Sequence, residues 1–231
     1  MNLQKRSCPV KIELHPSGIQ FLLIIWEIGN DRHELWASSH VGGQFSCFVQ
    51  ALYGLFVEGD DQHNYFDRRG TSVTYLLPKE DSSLKEDEVA IQTSCEWDNE
   101  GEITKVIFRR IYHHKESLNQ KEHDPVLVTI TNEENEWIYT VESRDLCYAT
   151  SKAYTDALKK YGFYGYVSST GSQCFECGDC VDLHMLLFLK AYALDMEVPR
   201  KLSPAEGNSN NWTGPMSTDF YSELELLVFD M

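Results

Sequence analysis

No apolar run in this 231-residue chain reaches the roughly 20 residues that a membrane-spanning helix needs. The N-terminal stretch MNLQKRSCPVKIEL holds no apolar segment of the secretory kind. A non-membrane, cytoplasmic protein with reduced thiols is the expectation. Basic residues are scarce: 20 Lys and Arg stand against 36 Asp and Glu, for a formal charge of −16. Such a field repels phosphate backbones and argues against general nucleic-acid binding. It favours association with a basic protein partner. The phosphate-binding glycine patterns GxGxxG and the P-loop are missing, and so is the GxSxG nucleophile elbow. His33-Glu34-Leu35-Trp36-Ala37 begins like the zinc-protease motif HExxH but ends in Ala, without a second ligand.

What is present suffices for a core. Hydrophobic residues make up 42% of the chain, and at this length a fold has no need of disulfides or metal. Hydrophobic periodicity predicts strands at 11–14, 19–28 and 34–38, then a helix over about 44–57. Phe45, Phe48, Leu52, Leu55 and Phe56 form one face of that helix. Further strands follow at 72–77, 89–97, 102–112, 126–131 and 136–142. Asp98 to Gly101 reads as a four-residue hairpin loop, and Asn132 to Asn135 as another. The strand at 102–112 has mixed residues on both faces, so its core side stays open.

Ser143 reads as the N-cap of a helix over about 144–161, with Gly162 just past its end. Leu146, Thr150, Ala153, Tyr154, Ala157, Leu158 and Tyr161 share one face of it. Lys152, Thr155, Asp156, Lys159 and Lys160 share the other. The run from about 181 to 194 is apolar nearly all round and reads as a buried core helix. Strands and helices segregated in this order predict an α+β fold with mostly antiparallel sheet. One globular domain over 1–231 is expected. Two similar strand–strand–helix lobes, about 8–78 and 86–231, are suggested by the likeness of CFVQALYGLF to AYTDALKKYGF.

Three constellations carry possible chemistry. Cys174, Cys177, Cys180 and His184 supply four soft ligands within eleven residues, a set that zinc accepts. Their spacing resembles the bacterial ferredoxin run C-x-x-C-x-x-C-x-x-x-C, with His184 at the fourth Cys. The resemblance implies zinc or an iron–sulfur cluster. It covers under a dozen residues and lacks the following Pro. Cys47 lies near the start of a helix, off the apolar face of its wheel, where a dipole would favour a thiolate. Cys47-Phe48-Val49 is similar to the nucleophile helix of papain-like hydrolases, without the flanking residues of that family. A bland, surface-leaning thiol is the competing reading.

Aromatic residues stand in polar stretches at Tyr65, Phe66, Tyr148, Tyr164, Tyr166 and Trp212. Exposed rings beside carboxylates suit the docking of a basic protein, with the rings as anchors and the acids for steering. The reading that follows is an acidic protein-binding module, of the inhibitor or immunity type, that neutralises a basic partner. A metal-binding protein and a cysteine-dependent hydrolase are the alternatives.

Overall fold

A computed structural model describes residues 8–16, 21–38, 44–56, 71–99, 101–113, 125–162, 166 and 183–196. Eight strands and three helices lie within them. They are β1 (Val10–Pro16), β2 (Phe21–Ile28), β3 (Asp31–Ser38), α1 (Gln44–Gly54), β4 (Ser72–Leu76) and β5 (Glu88–Asn99). The series continues with β6 (Glu102–His113), β7 (Pro125–Thr131), β8 (Glu136–Glu142), α2 (Ser143–Tyr161) and α3 (Leu183–Ala193). The fold is α+β. Strands β1-β2-β3 form one antiparallel meander, and β4-β5-β6-β7-β8 form a second, larger one.

Alternation along each strand explains which side is buried. On β2, Leu22, Ile24, Trp26 and Ile28 point into the core. The β2–β3 turn is two residues long, since Ile28 pairs with Asp31. Gly29 takes φ 62° there, a conformation that a residue with Cβ resists, as tight hairpin turns demand. The β5–β6 ladder runs on to the pair Asn99 and Glu102, so that turn has two residues rather than the expected four. The open question about β6 is also settled. Val106, Phe108 and Arg110 face inward, while Ile103, Lys105, Ile107, Arg109 and Ile111 face outward.

Arg110 is why the pattern looked mixed. It is only 2% exposed. Its guanidinium lies over the Phe56 ring at 4.9 Å, and Nη1 donates to the Leu55 carbonyl at 3.5 Å. Aromatic and backbone partners make a buried cation tolerable.

The helices cross over between the sheets. α1 follows the three-stranded sheet but packs on β5 of the other, where Thr93 Oγ1 donates to the Ala51 carbonyl at 2.7 Å. α2 follows the five-stranded sheet but packs against β1 of the first. The buried side chains therefore form one continuous cluster that draws on both sheets and all three helices. Phe48 stands at its centre. It meets Trp26 and Phe108 edge-on, each at 5.3 Å, and stacks on Phe45 at 5.8 Å and Trp97 at 5.7 Å.

α3 packs on both α1 and α2 and is buried from Met185 through Ala191. That position matches a helix apolar on nearly every side. α2 is flanked by β1 and α3, so its buried surface is wider than one face. Thr155, expected on the polar side, is buried, and its hydroxyl donates to the Ser151 carbonyl. Ser143 is the first helical residue rather than the cap, and its hydroxyl instead lies 3.0 Å from the Tyr192 hydroxyl. Gly162 ends the helix as expected, with φ 70° and its N–H on the Leu158 carbonyl. Among the described residues no helix is long and apolar enough to cross a membrane.

Candidate functional site

Two parts of the described structure combine polar chemistry with unusual placement. The first lies where the two sheets meet. Asp31 and His33 are two apart on β3 and share a face, and Tyr139 on β8 reaches them from the other sheet. The Tyr139 hydroxyl donates to Asp31 Oδ2 at 2.9 Å. That hydroxyl oxygen also sits 2.8 Å from His33 Nε2. A phenol has one proton to give, so the His33 Nε2–H must be the donor to Tyr139. The chain of bonds runs from a buried imidazole, through a buried phenol, to an exposed carboxylate.

Burial depresses the His33 pKa, partly offset by the Asp31 charge. Burial, and then the Asp31 carboxylate, hold the Tyr139 phenol well above its usual range. Trp137 closes the site edge-on to His33 at 5.0 Å. Half-buried Cys8 is nearby, its backbone N–H on the Thr140 carbonyl at 2.9 Å. The truncated HExxH reading of His33 missed this network. Alternation over Asp31-x-His33-x-Leu35 was the available signal, but nothing in the sequence pointed to Tyr139.

The second part is one end of the five-stranded sheet. Two hairpin turns, β5–β6 and β7–β8, lie side by side there, because Lys105 pairs with Thr131. Glu96, Glu102, Glu133, Glu134 and Glu136 are all exposed at this end. Lys105 lies among them, 3.3 Å from Glu96. The β7–β8 turn is preorganised. Asn132 Oδ1 accepts the N–H groups of Glu134 and Asn135, and the Asn132 N–H donates to the Asn135 carbonyl. On the outer face of the sheet, Ile103 is 47% and Ile138 53% exposed. On the same face, Ile107, Thr129 and Ile138 form one cross-strand row.

The sequence candidates fare differently. Cys47 is 2% exposed and lies inside the core cluster, not at a surface. The wheel misplaced it because α1 packs on β5 on one side and α3 on another, which covers nearly all of its described surface and leaves only Gln50 and Tyr53 half-buried. Cys95 is close enough for Cys47 to add to the effect of burial in raising the Cys95 pKa. These buried thiols lack the solvent access of a nucleophile. Tyr166 is fully buried, edge-on to Tyr154 at 5.4 Å, and so is a core ring rather than an exposed anchor.

Tyr65, Phe66, Tyr164, Trp212, Cys174, Cys177 and Cys180 lie outside the described residues, as does the side chain of His184. Among the described residues no group of three His, Cys, Asp or Glu side chains is placed to hold a metal. Comparison with models of protein families, with curated proteins and with solved structures finds no match for this chain.

Proposed function

We propose that this chain is an acidic protein-binding module, of the inhibitor or immunity type, that acts in the cytoplasm by docking a basic partner protein. The observation that carries the reading is the hairpin end of the five-stranded sheet. Exposed Ile103 and Ile138 supply apolar contact, and the surrounding glutamates supply steering charge. The Asn132-braced turn fixes the backbone of Glu133 and Glu134 before any partner arrives, which lowers the ordering cost of binding. The overall charge of −16 extends the same attraction over the whole molecule.

The test compares the wild type with two variants as bait in lysate from the native host: Ile138→Asp, and the triple reversal Glu133→Lys, Glu134→Lys, Glu136→Lys. The captured protein is then purified and titrated. A basic partner whose affinity falls at least tenfold in both variants, and falls again as salt rises, supports the reading. A neutral or acidic partner, or equal binding by all three baits, sinks it.

A further inference from the structure

The connector between β4 and β5 is anchored to the outer face of the five-stranded sheet by Arg109 of β6. Arg109 Nη2 lies 2.6 Å from Asp81 Oδ2 and donates to Ser83 Oγ at 3.0 Å. Hydrogen bonds from the Ser83 hydroxyl and the Ser83 N–H hold the Asp81 carboxyl below its usual range. The Ser83 oxygen therefore sits between a guanidinium and a carboxylate. One donor of that guanidinium is unused: Arg109 Nε is buried and has no hydrogen-bond partner among the described residues. In a guanidinium the Nε–H and one Nη2 N–H lie side by side, a fork that fits two oxygens of one phosphate.

The segment around Ser83 is accessible. From Ser82 to Asp87 only Leu84 is buried. Turn bonds hold it, such as Leu84 N–H to the Asp81 carbonyl at 3.1 Å, and exposed bonds of this kind open at low cost. Its charges single out one of the two serines. Ser83 is followed by Glu86, Asp87 and Glu88 at the third to fifth positions, whereas Ser82 has Lys85 at its third. Kinases that select acidic substrates read a carboxylate at that third position.

We propose that Ser83 is a phosphorylation site for an acidophilic serine/threonine kinase, with Arg109 as the seat of the phosphate. Ser83 Oγ forms a bond to the γ-phosphorus of a nucleoside triphosphate. The bond from that phosphorus to the β,γ-bridging oxygen breaks, the hydroxyl proton goes to the kinase's base, and the diphosphate leaves. The new group carries about −1.5 to −2 charge and three strong acceptor oxygens. It takes the fork of Nη2 and the unused Nε–H, and Asp81, now facing a like charge, gives up its share of Arg109. The modification needs neither the acidic hairpin end nor a docked partner, so it stands or falls independently of the function proposed above.

The experiment treats the full-length protein with magnesium ATP and a purified kinase of the casein-kinase class, which requires acids after its serine. Tandem mass spectrometry maps the phosphate in the wild type, Ser83→Ala and Ser82→Ala. Far-UV circular dichroism checks that the variants keep the fold. Heteronuclear NMR follows the Arg109 Nε–H signal before and after modification, with Arg109→Gln used to assign it.

The expected result is one phosphate, on Ser83, in both the wild type and Ser82→Ala, with incorporation at least tenfold lower in Ser83→Ala. The Arg109 Nε–H signal should move downfield and exchange more slowly once the phosphate is present. No incorporation into the folded protein overturns the proposal, as does phosphate on Ser82 instead or equal incorporation by Ser83→Ala. An Nε–H signal that does not respond to the phosphate overturns the role given to Arg109.

Discussion

His33 on one sheet and Tyr139 on the other are joined by a hydrogen bond of 2.8 Å, and Tyr139 passes its own proton toward Asp31. Removing the Tyr139 hydroxyl deletes both bonds and leaves a buried imidazole N–H without its acceptor. Tyr139→Phe should lower unfolding stability by about 1–3 kcal/mol, read from urea denaturation. An unchanged midpoint would mean that the network is not a tie between the sheets.

The same imidazole sets a pH dependence. Its folded-state pKa is depressed below the ordinary value of 6.5, so the unfolded chain binds the proton first as the medium is acidified. The contribution of neutral His33 is fully present above the unfolded-state value and is lost as pH falls through the depressed folded value. Urea midpoints measured from pH 7.5 down to pH 5 should decline for the wild type and decline less for His33→Asn. Glu13 acts in a lower window. Its carboxyl is held down by Lys11 and then by His15, so its share is lost only below the usual carboxylate value of 4.5.

Phe48 touches four aromatic neighbours at the centre of the core. Phe48→Ala should cost about 3–5 kcal/mol through lost transfer energy and the cavity left behind. Phe48→Leu should cost clearly less. Equal costs would mean that ring geometry, not volume, holds the site.

Thiol reactivity should rank by burial. Cys8 is half-buried, whereas Cys47, Cys95 and Cys147 are enclosed, and burial raises the pKa of both Cys95 and Cys147. Iodoacetamide at neutral pH should label Cys8 at least about a hundredfold faster than these three in the native protein, because they need an opening event to react. Mass spectrometry of timed digests reads the ranking directly. Fast labelling of Cys47 would revive a nucleophilic role for it.

Legibility in the sequence followed the range of the forces involved. The helices at 44–54, 143–161 and 183–193, and most hairpins, could be read because periodicity and turn residues act locally. The face of β6 could not, because Arg110 is made acceptable by Phe56 and Leu55, more than fifty residues away. Cys47 was misplaced for the same reason: a helical wheel shows a helix's own pattern, not the number of neighbours that enclose it. Asp31, His33 and Tyr139 converge across 108 residues, a distance that no spacing rule spans. The acidic turns were legible as charge, but their adjacency depends on the register of β6 with β7.

The crossing of α1 and α2 between the sheets has a consequence for biosynthesis. β1 leaves the ribosome well before its cover, α2, which is complete only at Tyr161. At about 5–20 residues per second, Ile12 and Leu14 wait for roughly ten to thirty seconds with an open strand edge beside them. The nascent chain is therefore exposed to aggregation at the β1-β2-β3 meander, and a chaperone that engages this meander as it emerges would protect it until α2 arrives.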